Sequence, residues 1–232
     1  AAQRPDPLVA EIDRRAREIA PRVIDWRHDI HQNPELSFQE TRTAAAVAAH
    51  LRSLGLEVRT GVGGNGVVGV LRGGRPGPVV ALRADMDALP VTELVDLPFK
   101  STKRTVYNGV ETGVMHACGH DMHVAILMGT AEVLAGMRAQ LQGTVKFVFQ
   151  PAEEGAPTGG AGPMIRDGVL DGPAVDAIFA LHVGPGPLGF VEYRGGPLQA
   201  STDNFRIVVR GKQTHGAMPA AGVDPLVVGA QI

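Results

Sequence analysis

Apolar residues recur at three- and four-residue spacing from Leu8 to His31, with Leu8, Ile12, Ile19, Val23, Trp26 and Ile30 on one stripe. That period predicts a helix with one buried face. Pro21 lies inside the stripe and lacks an N–H, which predicts a kink or two helices with Pro21 near the start of the second. Asn33-Pro34 ends the element, and a second helix is predicted over Ser37–Leu54, with an Ala-rich face and Gly55 as its stop. The pattern then shortens to strand-like runs at Leu56–Thr60, Val67–Arg72 and Val79–Ala84, separated by Gly-rich turns at 63–66 and 73–77. Helical spacing returns after His120, through Val124, Leu127, Met128, Ala131, Leu134 and Met137. A strand at Thr144–Phe149, a short helix around Met164–Asp167 and a strand at Ala177–Val183 follow.

Strands alternating with helices predict an α/β layered domain, with a mixed β-sheet flanked by helices. From about Gly189 the texture changes. Gly195-Gly196-Pro197 resembles a linker, Thr202–Arg210 alternates like a strand, residues 211–219 read as a loop, and Asp224-Pro225 starts a helix. The expected division is residues 1–192 as one domain and 193–232 as the start of a second, smaller α+β domain. Residues 1–7 read as a loose arm.

Composition narrows the function classes. The chain has 232 residues, 44% of them hydrophobic and 20% charged, and a formal net charge of -2. No Lys/Arg run stands out, which argues against nucleic acid and anionic membrane as partners. No apolar run reaches the roughly 18 residues that span a bilayer. A single cysteine excludes an internal disulfide, so redox chemistry does not set the compartment. The opening Ala-Ala-Gln, without Met, reads as the remnant of signal-peptide cleavage or as the edge of a cut piece, leaving cytoplasmic and periplasmic or secreted locations both open.

The one cysteine, Cys118, stands two residues before His120, in a stretch that also carries His116, Asp121 and His123. A thiolate and an imidazole both suit a borderline metal such as zinc, and Gly119 between them permits a tight turn. A lone Cys-x-His reads more readily as a buried structural thiol beside surface histidines. The acidic pairs Asp85/Asp87 and Glu153/Glu154, together with His182, change the balance, because all fall at or near predicted strand ends, where ligands of open α/β sheets collect. His28 and His31 read as capping or packing residues, His50 as a surface helix residue, and His116 and His123 as outer partners of a site.

Taken together, Asp85-Met86-Asp87, Cys118-Gly119-His120-Asp121-x-His123, Glu153-Glu154, Leu181-His182-Val183, Gly211-Lys212-x-x-His215-x-Ala217-x-Pro219 and the early His28-Asp29-Ile30-His31-Gln32-Asn33-Pro34-Glu35-Leu36-Ser37-Phe38 resemble the zinc-dependent amidohydrolases. That group includes hippurate hydrolase, N-acyl-amino-acid hydrolases and indoleacetyl-amino-acid hydrolases, and belongs with the aminoacylase and carboxypeptidase G2 type of metallopeptidase. The resemblance runs from about residue 20 to the end.

It implies two divalent metal ions per full-length chain, zinc first, with manganese, cobalt or nickel as alternatives. Cys118 would bridge them, and His120, Glu154 and His182 would be further ligands. Glu153 would be the general base. Asp87 would orient the site, and His215 would help hold the carbonyl oxygen. Residues 193–232 would begin a lid and dimerisation domain, giving a homodimer when the chain is full length. The substrate would be an N-acyl amino acid or a short peptide-like conjugate. The family's last ligand, a downstream His, would lie beyond Ile232, so the resemblance makes this a fragment lacking part of the catalytic domain and of the lid. A carboxypeptidase or dipeptidase on the same scaffold, or a catalytically silent fragment, are the alternatives.

Overall fold

The computed structural model describes residues 6–197, 203 and 205–232. Two units are distinct along the chain, Ala1–Gly186 and Pro187–Ile232.

In the first unit, helix α1 spans Pro7–Gln32. Asp6 caps it by accepting the Leu8 N–H at 2.8 Å, and Pro7 occupies the first turn, where its missing N–H costs nothing. Of the predicted arm, residues 1–5 lie outside the described residues, and Asp6 and Pro7 belong to the helix start. Pro21 does not divide α1, which runs on as one helix. Pro21 is on the exposed face, where the carbonyl it leaves unpaired is open to solvent, while Ile19, Val23 and Trp26 pack against Val133 and Met137 on the other side.

Helix α2 spans Thr41–Ser53, four residues shorter at its start than the apolar pattern suggests. The cause is Phe38, whose φ of 66° is left-handed and incompatible with a continuing helix. His50, expected on the surface, is packed instead: its Nε2 lies 3.1 Å from the Met128 carbonyl, and its ring meets Trp26 edge-on.

The sheet has five strands, β1 (Glu57–Val62), β2 (Gly66–Arg72), β3 (Arg75–Asp85), β6 (Gln142–Gln150) and β7 (Ala177–Ala180), in the order β1-β2-β6-β3-β7. β1, β2 and β6 pair antiparallel, whereas β3 runs parallel to both β6 and β7. Alternation of side chains sorts the core into two layers. Val67, Leu71, Ala84, Phe147 and Phe149 face α2 and helix α3 (His120–Gly136). Val62, Val68, Ala81 and Val148 face Met164 of helix α4 (Ala161–Arg166) and Val169. Lys146, 1% exposed on β6, donates from Nζ to the carbonyls of Val169, Asp171 and Pro173 at 3.0, 2.7 and 2.9 Å. It thereby ties down the loop that leads into β7.

A hairpin, β4 (Arg104–Tyr107) with β5 (Val110–Gly113), has no counterpart in the expected elements. Its turn residues Asn108 and Gly109 have φ of 50° and 80°, the paired left-handed conformation that Asn-Gly favours. β7 ends at Ala180 rather than Val183, because its pairing stops opposite Arg83. No helix among the described residues is long and apolar enough to cross a membrane.

In the second unit, a bridge joins Lys212 and Val223, and helix α5 spans Pro225–Gly229 with Asp224 as its cap, accepting the Leu226 N–H at 2.8 Å. The strand expected over Thr202–Arg210 is absent at Asp203 and Phe205–Arg210, and Thr202 and Asn204 lie outside the described residues. Phe205 and Ile207 are exposed, with no strand beside them among the described residues; alternation alone does not make a strand without a neighbour to complete its hydrogen bonds.

Candidate metal centre

The three parallel strands β3, β6 and β7 end on one side of the sheet, and their last residues build the site. β3 delivers Arg83 and Asp85, then Asp87. β6 delivers Gln150, then Glu153 and Glu154, and β7 leads to His182. The loop before α3 adds Cys118, and α3 opens with His120. Gly119 has a φ of 81°, and a side chain there would collide with Val183, so glycine is what allows Cys118 and His120 to turn towards the strand ends.

Donor atoms of Cys118, His120 and His182 lie within 4.8 Å of one another, and so do those of His120, Glu153 and Glu154. His120 is common to both groups. Its ring is 0% exposed, and neither nitrogen makes an aligned hydrogen bond among the described residues. Nδ1 is 3.3 Å from Asp87 Oδ1 and Nε2 is 3.7 Å from Asp85 Oδ2, which are charge contacts only. Buried polar atoms left without partners are costly. A third group, Asp85, His120 and His123, is within the same reach, but His123 is already committed. Its Nδ1 lies 2.5 Å from Asp85 Oδ1 and its Nε2 accepts the Val183 N–H at 2.9 Å.

His182 Nε2 faces Cys118 Sγ at 3.5 Å, and its Nδ1 donates to the Val183 carbonyl at 2.7 Å. That bond selects the tautomer with a free lone pair on Nε2. Asp87, 1% exposed, accepts from Ser37 Oγ at 2.6 Å and from the N–H groups of Glu153 and Glu154 at 3.0 and 2.9 Å. Arg83 braces the opposite edge, donating to Asp85 Oδ2 at 2.6 Å and to Gln150 Oε1 at 3.0 Å.

The electrostatics ask for a cation. Burial and the carboxylates of Glu154, Glu153 and Asp85 push the Cys118 thiol up to about 11. Burial and the adjacent Glu154 likewise raise Glu153. Burial opposes ionisation of Asp85, but His123, Arg83 and His120 bring it down to about 2. A soft thiol, borderline imidazoles and hard carboxylates around the buried ring of His120 fit a divalent metal such as zinc.

Cys118, His120, His182, Glu153, Glu154 and Asp87 are therefore brought together. His215 lies in the second unit, in an exposed loop, where its Nδ1 accepts the Ala217 N–H at 3.1 Å. Sequence reading gave no role to Arg83, Ser37 or Glu40, which support the strand-end turns; Ser37 fell within the early His28–Phe38 stretch, but its contact with Asp87 was not visible there.

Residues 81–215 match the model of peptidase family M20/M25/M40. The chain belongs to that family. Among curated proteins it is similar to thermostable carboxypeptidase 2 of Saccharolobus solfataricus, at 47% identity over 227 residues, covering 97% of this chain and 55% of that protein. It is also similar to an N-acyl-L-amino acid amidohydrolase of Geobacillus stearothermophilus, at 43% identity over 223 residues, covering 96% and 57%. The chain thus spans about half the length of the curated relatives it matches. Its fold superposes on a crystal structure from methicillin-resistant Staphylococcus aureus with a TM-score of 0.81 and 38% identity, covering 96% of this chain and 55% of that one. A dinuclear metal binding peptidase from the M20 family, the YXEP protein of Bacillus subtilis, matches with a TM-score of 0.64 and 43% identity, over 73% of this chain and 44% of that one. The first unit's α/β layer, a mixed five-stranded sheet flanked by helices, matches that likeness.

Proposed function

We propose that the protein hydrolyses the amide bond of N-acyl amino acids or short peptide-like conjugates, using a pair of divalent metal ions held at the ends of β3, β6 and β7. The observation that carries this reading is the convergence of one thiol, a second imidazole and two carboxylates on the buried ring of His120, which makes no aligned hydrogen bond among the described residues. Cys118 is assigned as the bridging ligand, and His120, His182 and Glu154 as the others. Zinc is the first choice, and the same donors accept manganese, cobalt or nickel. When bound, such a metal polarises the amide carbonyl and lowers the pKa of water.

The remaining work falls to side chains. Glu153 has a raised pKa and projects at the site's mouth, with its side chain 42% exposed. It takes the proton of the attacking water and later delivers it to the leaving nitrogen. Asp87 orients the Glu153–Glu154 turn through two backbone bonds. His215 is assigned to the carbonyl oxygen as negative charge grows there. Residues 193–232 are read as the beginning of a lid through which the full chain forms a homodimer.

The names of the two relatives, an amidohydrolase and a carboxypeptidase, support amide cleavage of this kind. The test assays the full chain on hippurate, on N-acetyl amino acids and on peptides with a free carboxyl end, before and after chelation and after zinc is restored. Hydrolysis of the acyl amino acids that vanishes on chelation and returns with metal is expected. Activity confined to peptides favours the carboxypeptidase reading, and activity that survives complete metal removal overturns the proposal.

A further inference from the structure

Three successive backbone N–H groups in the turn after β6 each end on a carboxylate oxygen. Glu153 and Glu154 donate to Asp87, and Ala152 donates to Glu40 Oε1 at 2.7 Å. Glu40 is 0% exposed and sits at the start of α2, yet its side chain does not cap that helix. Oε1 also accepts the Phe38 N–H at 3.0 Å, and Oε2 accepts Asn65 Nδ2 at 3.0 Å. Phe38 and Ala152 have φ of 66° and 50°, left-handed values that cost a non-glycine residue on the order of 1–3 kcal/mol unless the surroundings enforce them. One buried carboxylate therefore holds both strained residues. The Phe38 ring closes the far end of the turn: a Cβ on Gly155 would lie 2.7 Å from its Cε2. Burying a carboxylate is expensive, and nothing in the packing of α2 requires one here.

We propose that Glu40 is a positioning residue, whose carboxylate locks Ala152 in its left-handed conformation and so sets the direction in which Glu153 and Glu154 leave β6. The role rests on the assignment of Glu154 to metal and Glu153 to proton transfer. It reaches the site through backbone alone, since Glu40 bonds to the N–H of Ala152 and to neither glutamate side chain.

The experiment compares Glu40→Leu, Glu40→Gln and Leu51→Ala in the full chain, reading zinc affinity by chelator competition together with kcat and KM. Glu40→Leu should weaken the more labile metal by about 10–100-fold, as loss of an outer-sphere support does, and lower kcat more than it raises KM. Glu40→Gln should recover most of that loss. Its amide oxygen can accept both N–H groups, while its NH2 turns to an Asn65 side chain flipped to offer oxygen. Leu51→Ala, a cavity in the same helix, should lower the melting temperature and leave metal affinity alone. Wild-type metal affinity in Glu40→Leu, or an equal loss in Leu51→Ala, overturns the proposal. Should Glu40→Leu fail to fold, Asn65→Asp sets a second carboxylate against Oε2 and should weaken the same metal; unchanged affinity there overturns it too. A wild-type chain that binds metals but cleaves no acyl amino acid defeats the substrate reading alone, and the affinity comparison still decides the role of Glu40. A chain that binds no metal defeats both.

Discussion

Nε2 of His123 accepts the backbone N–H of Val183 at 2.9 Å. The Val183 carbonyl in turn takes the Nδ1–H of His182, and Asp85 holds the other nitrogen of His123. The path Asp85–His123–Val183–His182 thus aims one ring at Cys118. Replacing His123 by Leu should weaken the metal held by His182 about 10–100-fold without removing any ligand. Zinc competition titrations of the two proteins check this, and equal affinities would remove His123 from the account.

Glu153 and Glu154 are adjacent, but they should fail differently. Glu154→Gln should lose metal. Glu153→Gln should keep metal and lose about 10²–10⁴ in kcat, the usual contribution of a general base. Metal analysis of the two purified variants, beside their turnover, separates the roles; identical metal loss in both would sink the division of labour.

Much of this fold was legible because apolar residues recur at helical spacing along α1 and crowd α3, which is buried on most sides, and because the sheet's core strands are short apolar runs. What escaped the pattern has specific causes. Phe38 turns left-handed and delays α2, held by the carboxylate of Glu40 two residues on, which no apolar period reveals. The Arg104–Gly113 hairpin exposes Val106 and Val110, so its alternation carries no core signal, although Asn108-Gly109 was a readable turn. At the site, Cys118, His120, Glu153, Glu154 and His182 stood out as residue types in order. The bracing by Arg83, Ser37 and Glu40 did not, because Ser37 reaches Asp87 across 50 positions, Arg83 ties Asp85 to Gln150 across 67, and Glu40 acts through backbone. Glu40 and Ala152 are separated by 112 positions.

Lys146 should matter for stability and not for chemistry. Its ammonium satisfies three carbonyls, although burial depresses its pKa. Lys146→Met keeps the apolar stem and strips the donor, at an expected cost of about 1–3 kcal/mol for the dry Val169 carbonyl, water reaching the other two. Chemical denaturation measures the loss; a midpoint equal to wild type would show the three bonds to be idle.

His31 makes part of the stability pH-dependent. Its Nδ1 is 2.9 Å from Asp121 Oδ2 and its Nε2 is 3.1 Å from Glu93 Oε1. Asp121 raises the pKa above the ordinary 6.5 against the pull of burial, and Glu93 adds to it. A raised folded pKa contributes stability that is complete below 6.5 and disappears as pH climbs through the folded value. The melting-temperature gap between wild type and His31→Gln should therefore narrow as pH rises from about 6.5. A gap that is constant with pH would show that His31 does not carry a proton in the fold.

The strand order has a kinetic corollary. The contacts that shape the candidate centre close long spans of chain: 38 positions between Asp85 and His123, 64 between Cys118 and His182, and 66 between Asp87 and Glu153. Loop closure over such distances is entropically slow, and parallel pairing of β3 with β6 and β7 rewards it only after both crossovers are in place. The complete set of donors therefore exists only in the finished sheet. Cys118 and His120, two positions apart, offer a local pair to a metal ion before then, and the other donors join them only when the strand ends are in place.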